Sequence, residues 1–223
     1  MKKKLYLFDI DGTLLSPGPG ARRIINRVIE KAIGHNPDLQ LTDVAGLTDL
    51  VIIRNALRKH GVNGDINILV NQVLDDYLDQ FSIEYSKSDK AFTYDDALRL
   101  LNYVENQNHP VGLLTGNVRK GAQIKLGKFD LFDRFPFGAF GDDAEDRMGL
   151  PAVARERAWD VLGEAYHYED MIIVGDTSHD AKVATEHGME SIIVCRYPEW
   201  KNDIIDAGAT IVVESLDSVI EKH

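Results

Sequence analysis

The pattern of apolar positions along the chain changes twice. Residues 5–8 form a short unbroken apolar run that ends at Asp9, which is typical of a buried strand. Between about residues 21 and 87, apolar residues recur at helical spacing, and the pattern is interrupted at Gly34, Gly46, Gly61 and Gly64. We therefore predict three or four helices here, forming a self-contained all-helical region.

Short apolar runs and helical patterns alternate through the rest of the chain. Strands are predicted at 110–117, 171–176, 191–195 and 210–213, with a short apolar segment at 137–140. The stretches 95–104, 120–129, 151–162 and 179–187 have helical spacing. This alternation predicts an α/β fold with a doubly wound parallel sheet, in which the helical region is an insertion after the first strand.

This organisation predicts two domains. Residues 1–16 and 90–223 form an α/β core domain, and residues 17–89 form a small all-helical cap domain. The total of 223 residues suits one large domain or two smaller ones, at about 150 residues per domain.

Composition narrows the possible environment and partners. The net charge of −11 disfavours nucleic acid and anionic lipid as partners, so an anionic substrate needs a local positive site. The single cysteine excludes an intramolecular disulfide framework and a multi-cysteine zinc site. The first apolar run is too short for a signal peptide or a membrane span. We expect a cytoplasmic protein, a monomer or a homodimer, that acts on a small molecule.

Two carboxylates follow the first predicted strand. Asp9 and Asp11 are two positions apart, so in an extended chain they share a face, at the sheet edge where open α/β sheets place their active sites. Two like charges at such short distance repel each other, which costs free energy unless a cation compensates them. Hard oxygen ligands of this kind suit Mg²⁺, although Asp-Gly also occurs in ordinary turns.

Two further predicted strands end in polar residues, at Thr115-Gly116-Asn117 and at Asp176 followed by Asp180. In a parallel sheet these ends lie at one edge, which predicts a single site. The ordered set, with Asp9-Ile10-Asp11-Gly12-Thr13 as first motif, resembles the haloacid dehalogenase superfamily over residues 5 to about 195. The resemblance includes the inserted helical cap, and it implies a Rossmann-like core.

The resemblance implies a role for each residue. Asp9 is the implied nucleophile, which forms an aspartyl-phosphate, and Asp11 is the implied general acid and base. Thr115, with Gly116 and Asn117, is expected to bind phosphoryl oxygens at the start of the next helix.

The implied Mg²⁺ ligands are Asp9, Asp176 and the main-chain carbonyl of Asp11, with Asp180 acting indirectly or through water. Taken alone, Asp176 is also compatible with a helix N-cap, and Asp180 with a solvated helix position.

One position departs from the superfamily pattern. Its members usually have a lysine immediately before the proline of the helix ahead of the fourth motif, where this chain has Leu150-Pro151. Because so many carboxylates require a positive group, we expect Arg147 to supply it, with Arg155 and Arg157 as alternatives. The helix after Thr115 offers more distant substitutes, Lys120, Lys125 and Lys128.

The acid at position 11 favours phosphate-ester chemistry over dehalogenation, and the general pattern is closest to phosphoglycolate phosphatase-like members. The core motifs leave open a sugar phosphomutase of the β-phosphoglucomutase type. A dehalogenase, a receiver domain and a non-catalytic phosphate-binding module fit less well. Thr48 and Arg54 in the cap are candidate substrate contacts, although Thr48 is equally compatible with a helix cap.

Overall fold

A computed structural model describes residues 3–221, so residues 1, 2, 222 and 223 of the predicted core domain lie outside it. The strands are β1 (Leu5–Phe8), β2 (Leu15–Ser16), β3 (Phe92–Thr93), β4 (Val111–Leu114), β5 (Gly138–Ala139), β6 (Met171–Gly175), β7 (Glu190–Val194) and β8 (Ile211–Val213). Six of them form one parallel sheet in the order β5-β4-β1-β6-β7-β8. The α/β prediction is confirmed.

The helices are α1 (Gly20–Ile33), α2 (Asp49–Lys59), α3 (Asn67–Ser86), α4 (Asp95–Asn106), α5 (Arg119–Gly127), α6 (Leu150–Leu162), α7 (Ser178–His187), α8 (Lys201–Asp206) and α9 (Asp217–Ile220). The region predicted as a third, or a third and fourth, cap helix is the single helix α3. No helix within residues 3–221 has the length and apolarity that a membrane span requires.

The central strand β1 determines where the site lies. Its apolar residues are buried from both sides, since Leu5 and Leu7 belong to one hydrophobic cluster and Phe8 to another. The register pairs Phe8 with Leu113 of β4 and Val174 of β6. The residues that follow these three strands therefore lie side by side at one edge of the sheet.

Helices α1, α2 and α3 pack around one hydrophobic cluster, which includes Ile29, Ile53, Leu57 and Phe81 and is joined by Val118 from the α/β core. This cluster supports the predicted cap domain, whose boundaries remain a prediction. The chain passes between core and cap through the antiparallel pair β2–β3, in which Leu15 pairs with Thr93 and Ser16 with Phe92.

A partly buried ion pair joins the end of β7 to α4. Both terminal nitrogens of Arg196 donate to Asp96, each at 2.9 Å, and Leu216 donates its amide to the same carboxylate. Burial would raise the pKa of Asp96, but these hydrogen bonds outweigh it and hold the pKa below its ordinary value. Arg196 also donates through Nε to the Gly12 carbonyl at 3.1 Å.

We expect Arg196→Met to lower the free energy of unfolding by about 2 kcal/mol, because it leaves a largely buried carboxylate without its charged partner. Urea unfolding measures the loss. Arg99→Met is the matched control, since the pair of Arg99 with Asp217 is exposed (55% and 36% side-chain exposure, against 14% and 10% for Arg196 and Asp96). Equal losses in the two variants would contradict the expectation.

Candidate active site

Backbone hydrogen bonds between strands bring the predicted site residues together. The Asp9 amide donates to the Val174 carbonyl at 2.9 Å, which places Asp9 beside the strand that leads to Asp176. The Thr115 amide donates to the Ala139 carbonyl at 3.0 Å. The ends of β1, β4 and β6, where the sequence predicts a single site, lie side by side.

Three carboxylates converge at this edge. Asp9, Asp176 and Asp180 are buried, and one carboxylate oxygen of each lies within 4.8 Å of the others. Burial raises the pKa of Asp9 to about 6, with Asp180 adding to the rise and Arg147 opposing it. Burial, together with Asp180 and Asp9, raises the pKa of Asp176 well above its ordinary value. The cluster thus requires positive charge when its carboxylates are ionised.

Arg147 lies within this cluster. Its Nη2 is 3.3 Å from Oδ2 of Asp9 and also pairs with Asp180, and the side chain is only 7% exposed. Burial would lower the pKa of Arg147, but the carboxylates of Asp180 and Asp9 outweigh it and raise that pKa above its ordinary value. The structure therefore places the arginine preferred from the sequence against the expected nucleophile.

The other two arginines considered for this position are engaged elsewhere. Arg155 lies over the ring of Tyr168, 4.6 Å from its centroid. Arg157 forms two hydrogen bonds with the Asp143 carboxylate, at 2.5 and 2.6 Å.

A second buried cation, Lys125, reaches the site, although its sequence position predicts only a distant substitute. Its Nζ lies 2.5 Å from Oδ2 of Asp11 and donates to Oδ1 of Asn117. Asn117 completes a triangle by donating to the same Asp11 oxygen at 2.9 Å. The Lys125 side chain is 5% exposed, and the other oxygen, Oδ1 of Asp11, is buried without a hydrogen-bond partner in residues 3–221.

The position of Lys125 on α5 carried a signal that would have revealed it. Val118, Gly121, Ala122 and Lys125 follow the i, i+3, i+4, i+7 spacing of one helix face, and all four are buried. A lysine on an otherwise small and apolar face needs an anionic partner inside the protein. The other two lysines point elsewhere: Lys120 pairs with Asp79, and Lys128 donates to carbonyls at the end of α3.

The Thr115-Gly116-Asn117 turn is less available for phosphate than expected. Oγ1 of Thr115 accepts hydrogen bonds from the Asn117 amide (3.3 Å) and from its Nδ2 (3.0 Å). The Val118 amide, at the start of α5, donates to Asp49 of the cap. At least part of the predicted anion site is thus occupied by protein groups.

A cap loop covers this turn. The Asp49 amide donates to the Gly116 carbonyl at 2.9 Å, and a Cβ added at Gly116 would lie 2.2 Å from the Leu47 carbonyl oxygen. Arg147 donates through Nη1 to the Gly46 carbonyl at 3.2 Å. These contacts hold the cap against the core, over a cavity of about 390 Å³ that opens onto Asp9 and Asp11.

The two cap side chains predicted to contact substrate do not line this cavity. Oγ1 of Thr48 accepts a hydrogen bond from the Val51 amide at 3.3 Å, so Thr48 caps α2. A helix cap is the alternative role that the sequence predicts for it. Arg54, further along α2, donates to Asn67 at 3.0 Å. From the same segment, Ala45, Gly46, Leu47 and Asp49 line the cavity instead.

The acid cluster fits a magnesium ion. Three carboxylates within one small volume are hard oxygen ligands, and burial opposes their ionisation unless a cation compensates. The backbone accommodates them closely: Gly12 has φ +77°, and a Cβ there would lie 1.9 Å from Oδ2 of Asp176. Both oxygens of Asp180 already accept hydrogen bonds, from Arg147 and from Thr177, which suits the indirect role expected for it.

Comparison with known proteins agrees with the resemblance drawn from the three motifs. The sequence profile of a family described as haloacid dehalogenase-like hydrolase matches residues 6–194. A phosphoglycolate phosphatase from Cereibacter sphaeroides is 26% identical over 188 residues, which cover 82% of this chain and 81% of that protein.

Solved structures share the fold at lower identity. A predicted phosphatase from Clostridium acetobutylicum is 20% identical with a TM-score of 0.73, covering 100% of this chain and 98% of that one. A Thermotoga maritima protein assigned as a β-phosphoglucomutase is 18% identical with a TM-score of 0.64, covering 98% and 99%. Because the family profile spans most of the sequence and all three motifs meet at one edge of the sheet, this chain belongs to the haloacid dehalogenase-like hydrolase family.

Proposed function

We propose that this hydrolase is a Mg²⁺-dependent phosphatase that cleaves small-molecule phosphate monoesters, as the name of its phosphoglycolate phosphatase relative suggests. The observation that carries the proposal is the separate pairing of the two motif acids. Arg147 contacts Asp9, and Lys125 with Asn117 holds Asp11. Two neighbouring carboxylates with different partners suit two different chemical tasks.

Asp9 is the proposed nucleophile. Its carboxylate oxygen attacks phosphorus, the bond from phosphorus to the ester oxygen breaks, and an aspartyl-phosphate forms. Arg147 beside Asp9 offers positive charge to the phosphoryl oxygens as they approach, and it also favours the ionised carboxylate. Asp9 and Asp176 would hold Mg²⁺, which would screen the phosphate from the nucleophile and stabilise charge in the transition state.

Asp11 is the proposed proton carrier. Lys125 and Asn117 orient its carboxyl group through Oδ2, and this group gives a proton to the departing alkoxide and then accepts one from the attacking water. That water displaces the Asp9 oxygen from phosphorus, which releases inorganic phosphate and restores the free carboxylate. The cap loop at residues 46–49 limits the access of bulk water during the first transfer.

A sugar phosphomutase would use the same groups but return the phosphoryl group to a sugar. A phosphatase releases stoichiometric inorganic phosphate, whereas a mutase converts one sugar phosphate to its isomer with little phosphate released. Product analysis with glucose 1-phosphate in the presence of Mg²⁺ therefore distinguishes the two reactions.

Asp9→Asn should reduce turnover of a panel of phosphate monoesters by more than about 1,000-fold, because the amide cannot act as nucleophile. Release of inorganic phosphate, with Mg²⁺ and with EDTA, measures it. In the unmodified protein we expect activity with Mg²⁺ and none with EDTA. Metal-independent turnover, or full activity of Asp9→Asn, would overturn the mechanism.

Arg147→Ala should lower kcat/KM by about 100-fold or more, since a buried cation next to the reacting phosphoryl group is lost. Arg155→Ala, the matched control from α6, should change kcat/KM by less than about two-fold, because the side chain is occupied with Tyr168. Arg147→Lys keeps the positive charge and is the second variant in case Arg147→Ala fails to fold. It should recover part of the loss in kcat/KM. The reverse order of the two alanine variants would exclude Arg147 from this role.

Lys125→Met should lower kcat by about 10- to 100-fold with little change in KM, because Asp11 loses its main orienting partner while phosphate binding is retained. Lys120→Met on the same helix removes an exposed pair with Asp79 and should leave both constants unchanged. Steady-state kinetics on protein checked by circular dichroism measures the split. A rise in KM alone, or equal effects of the two substitutions, would show that Lys125 does not position Asp11.

A further inference from the structure

The cavity continues well beyond the carboxylates. At about 390 Å³ it lies in the range of pockets that hold a drug-sized ligand, whereas the glycolate part of phosphoglycolate has only two carbons. The remote part is lined largely by apolar and aromatic residues from both core and cap. The site therefore has room for an alcohol much larger than glycolate.

Three aromatic side chains of the core, Tyr94, Tyr197 and Trp200, line the cavity, and we call them the aromatic wall. The rings of Tyr197 and Trp200 lie 4.5 Å apart between centroids. The Arg196 guanidinium lies over the Tyr94 ring, 3.9 Å from its centroid. The prolines of the connection to the cap, Pro17 and Pro19, line the same cavity.

The aromatic wall is fixed relative to the reacting groups. Arg196, which stacks on Tyr94, donates to the Gly12 carbonyl, directly after the proposed proton carrier. The Tyr94 amide donates to the Leu14 carbonyl at 3.0 Å. Both anchors belong to the loop that follows β1. An alcohol extending from the phosphate site thus meets a wall tied to the same loop.

The wall keeps aromatic surface accessible although the cap is docked. Tyr197 is 38% exposed and Trp200 is half-buried, whereas the site residues Asp9, Arg147 and Lys125 are buried. Aromatic side chains that line a cavity beside a catalytic site favour a planar ring, because offset-stacked or edge-to-face contact adds to the gain from burying the ring.

We propose that the aromatic wall is a leaving-group subsite, and that the substrate is a phosphate monoester whose alcohol carries a planar aromatic or heteroaromatic ring. This inference rests on the proposed phosphatase function. Aryl-alkyl phosphates and nucleoside 5′-monophosphates share the required chemistry, so both belong in the test. Arg22 of the cap also lines the cavity, and a substrate that uses it to bind a carboxylate, such as 2-phosphoglycolate, is the rival.

The first experiment compares kcat/KM for esters matched in leaving-group chemistry. Benzyl phosphate is expected to exceed cyclohexylmethyl phosphate by about three-fold or more, and ethyl phosphate and 2-phosphoglycolate by about ten-fold or more. The kcat/KM values for adenosine and uridine 5′-monophosphates show whether a heteroaromatic ring further from the phosphate is preferred to the benzyl ring. A preference for 2-phosphoglycolate, or equal values for benzyl and cyclohexylmethyl esters, would overturn the proposal.

Tyr197→Ala should reduce the benzyl-to-ethyl ratio of kcat/KM by about five-fold, with the change in KM rather than kcat. Trp159→Ala is the control, because it also removes an exposed aromatic side chain. Trp159 is 55% exposed on α6 and lies outside the cavity. An unchanged ratio in Tyr197→Ala would exclude the wall as the ring's contact.

A binding measurement separates failure of this inference from failure of the phosphatase proposal. In a Trp159→Phe background Trp200 is the sole tryptophan, so its fluorescence reports on the wall. With Mg²⁺ present, 2-phenylethylphosphonate should quench it and bind at least about five-fold more tightly than propylphosphonate. If no ester is hydrolysed but this difference holds, only the phosphatase proposal fails; if hydrolysis occurs and the two phosphonates bind equally, the ring subsite is wrong.

Discussion

The structure depends on the compensation of negative charge at the edge of the sheet. Asp9, Asp176 and Asp180 are buried within reach of one another, and each carboxylate that ionises there makes ionisation of the next more costly. Arg147 offsets part of this charge from within, through Asp9 and Asp180. A pair of buried charges repays its desolvation only when further hydrogen bonds support it. Asp180 has such bonds from Thr177, whereas Nε of Arg147 is buried without a partner within residues 3–221. The remaining negative charge is the physical basis for expecting a metal ion.

The same arginine also links the core to the cap, since its Nη1 donates to the Gly46 carbonyl. Lys125 provides a second link, because it holds Asp11 and its Nζ lies 5.7 Å from the ring centroid of Phe81 in the cap. Both cations at the reacting groups thus lie beside contacts that close the cap. Displacement of the cap would alter the surroundings of Asp9 and Asp11 together.

The fold and the position of the site could be predicted because they depend on strong, local patterns. In the sequence, buried strands are continuous apolar runs. The acids that follow them, such as Asp9 and Asp176, are recognisable from their position directly after these runs. The two-residue strands β2 and β3 and the short helices α8 and α9 were not predicted, because segments this short carry too little periodicity. Lys125 was underrated for another reason: its partner Asp11 is distant in sequence, and only the rotation of α5 brings them together. Thr48 and Arg54 are candidate substrate contacts by sequence, whereas hydrogen bonds with Val51 and Asn67 hold their side chains.

The antiparallel pair β2–β3 has a consequence for how such a protein can vary. Ser16 and Phe92 are paired neighbours, so the segment that forms the cap leaves and re-enters the core at almost the same point. The two cut ends of the core would therefore be separated by no more than the width of a strand pair. A segment of different length or helix content can span that distance without rethreading the sheet or shifting the register of β1. The cap over the cavity can thus be replaced while the catalytic edge of the sheet is unchanged, and the aromatic wall remains part of the core.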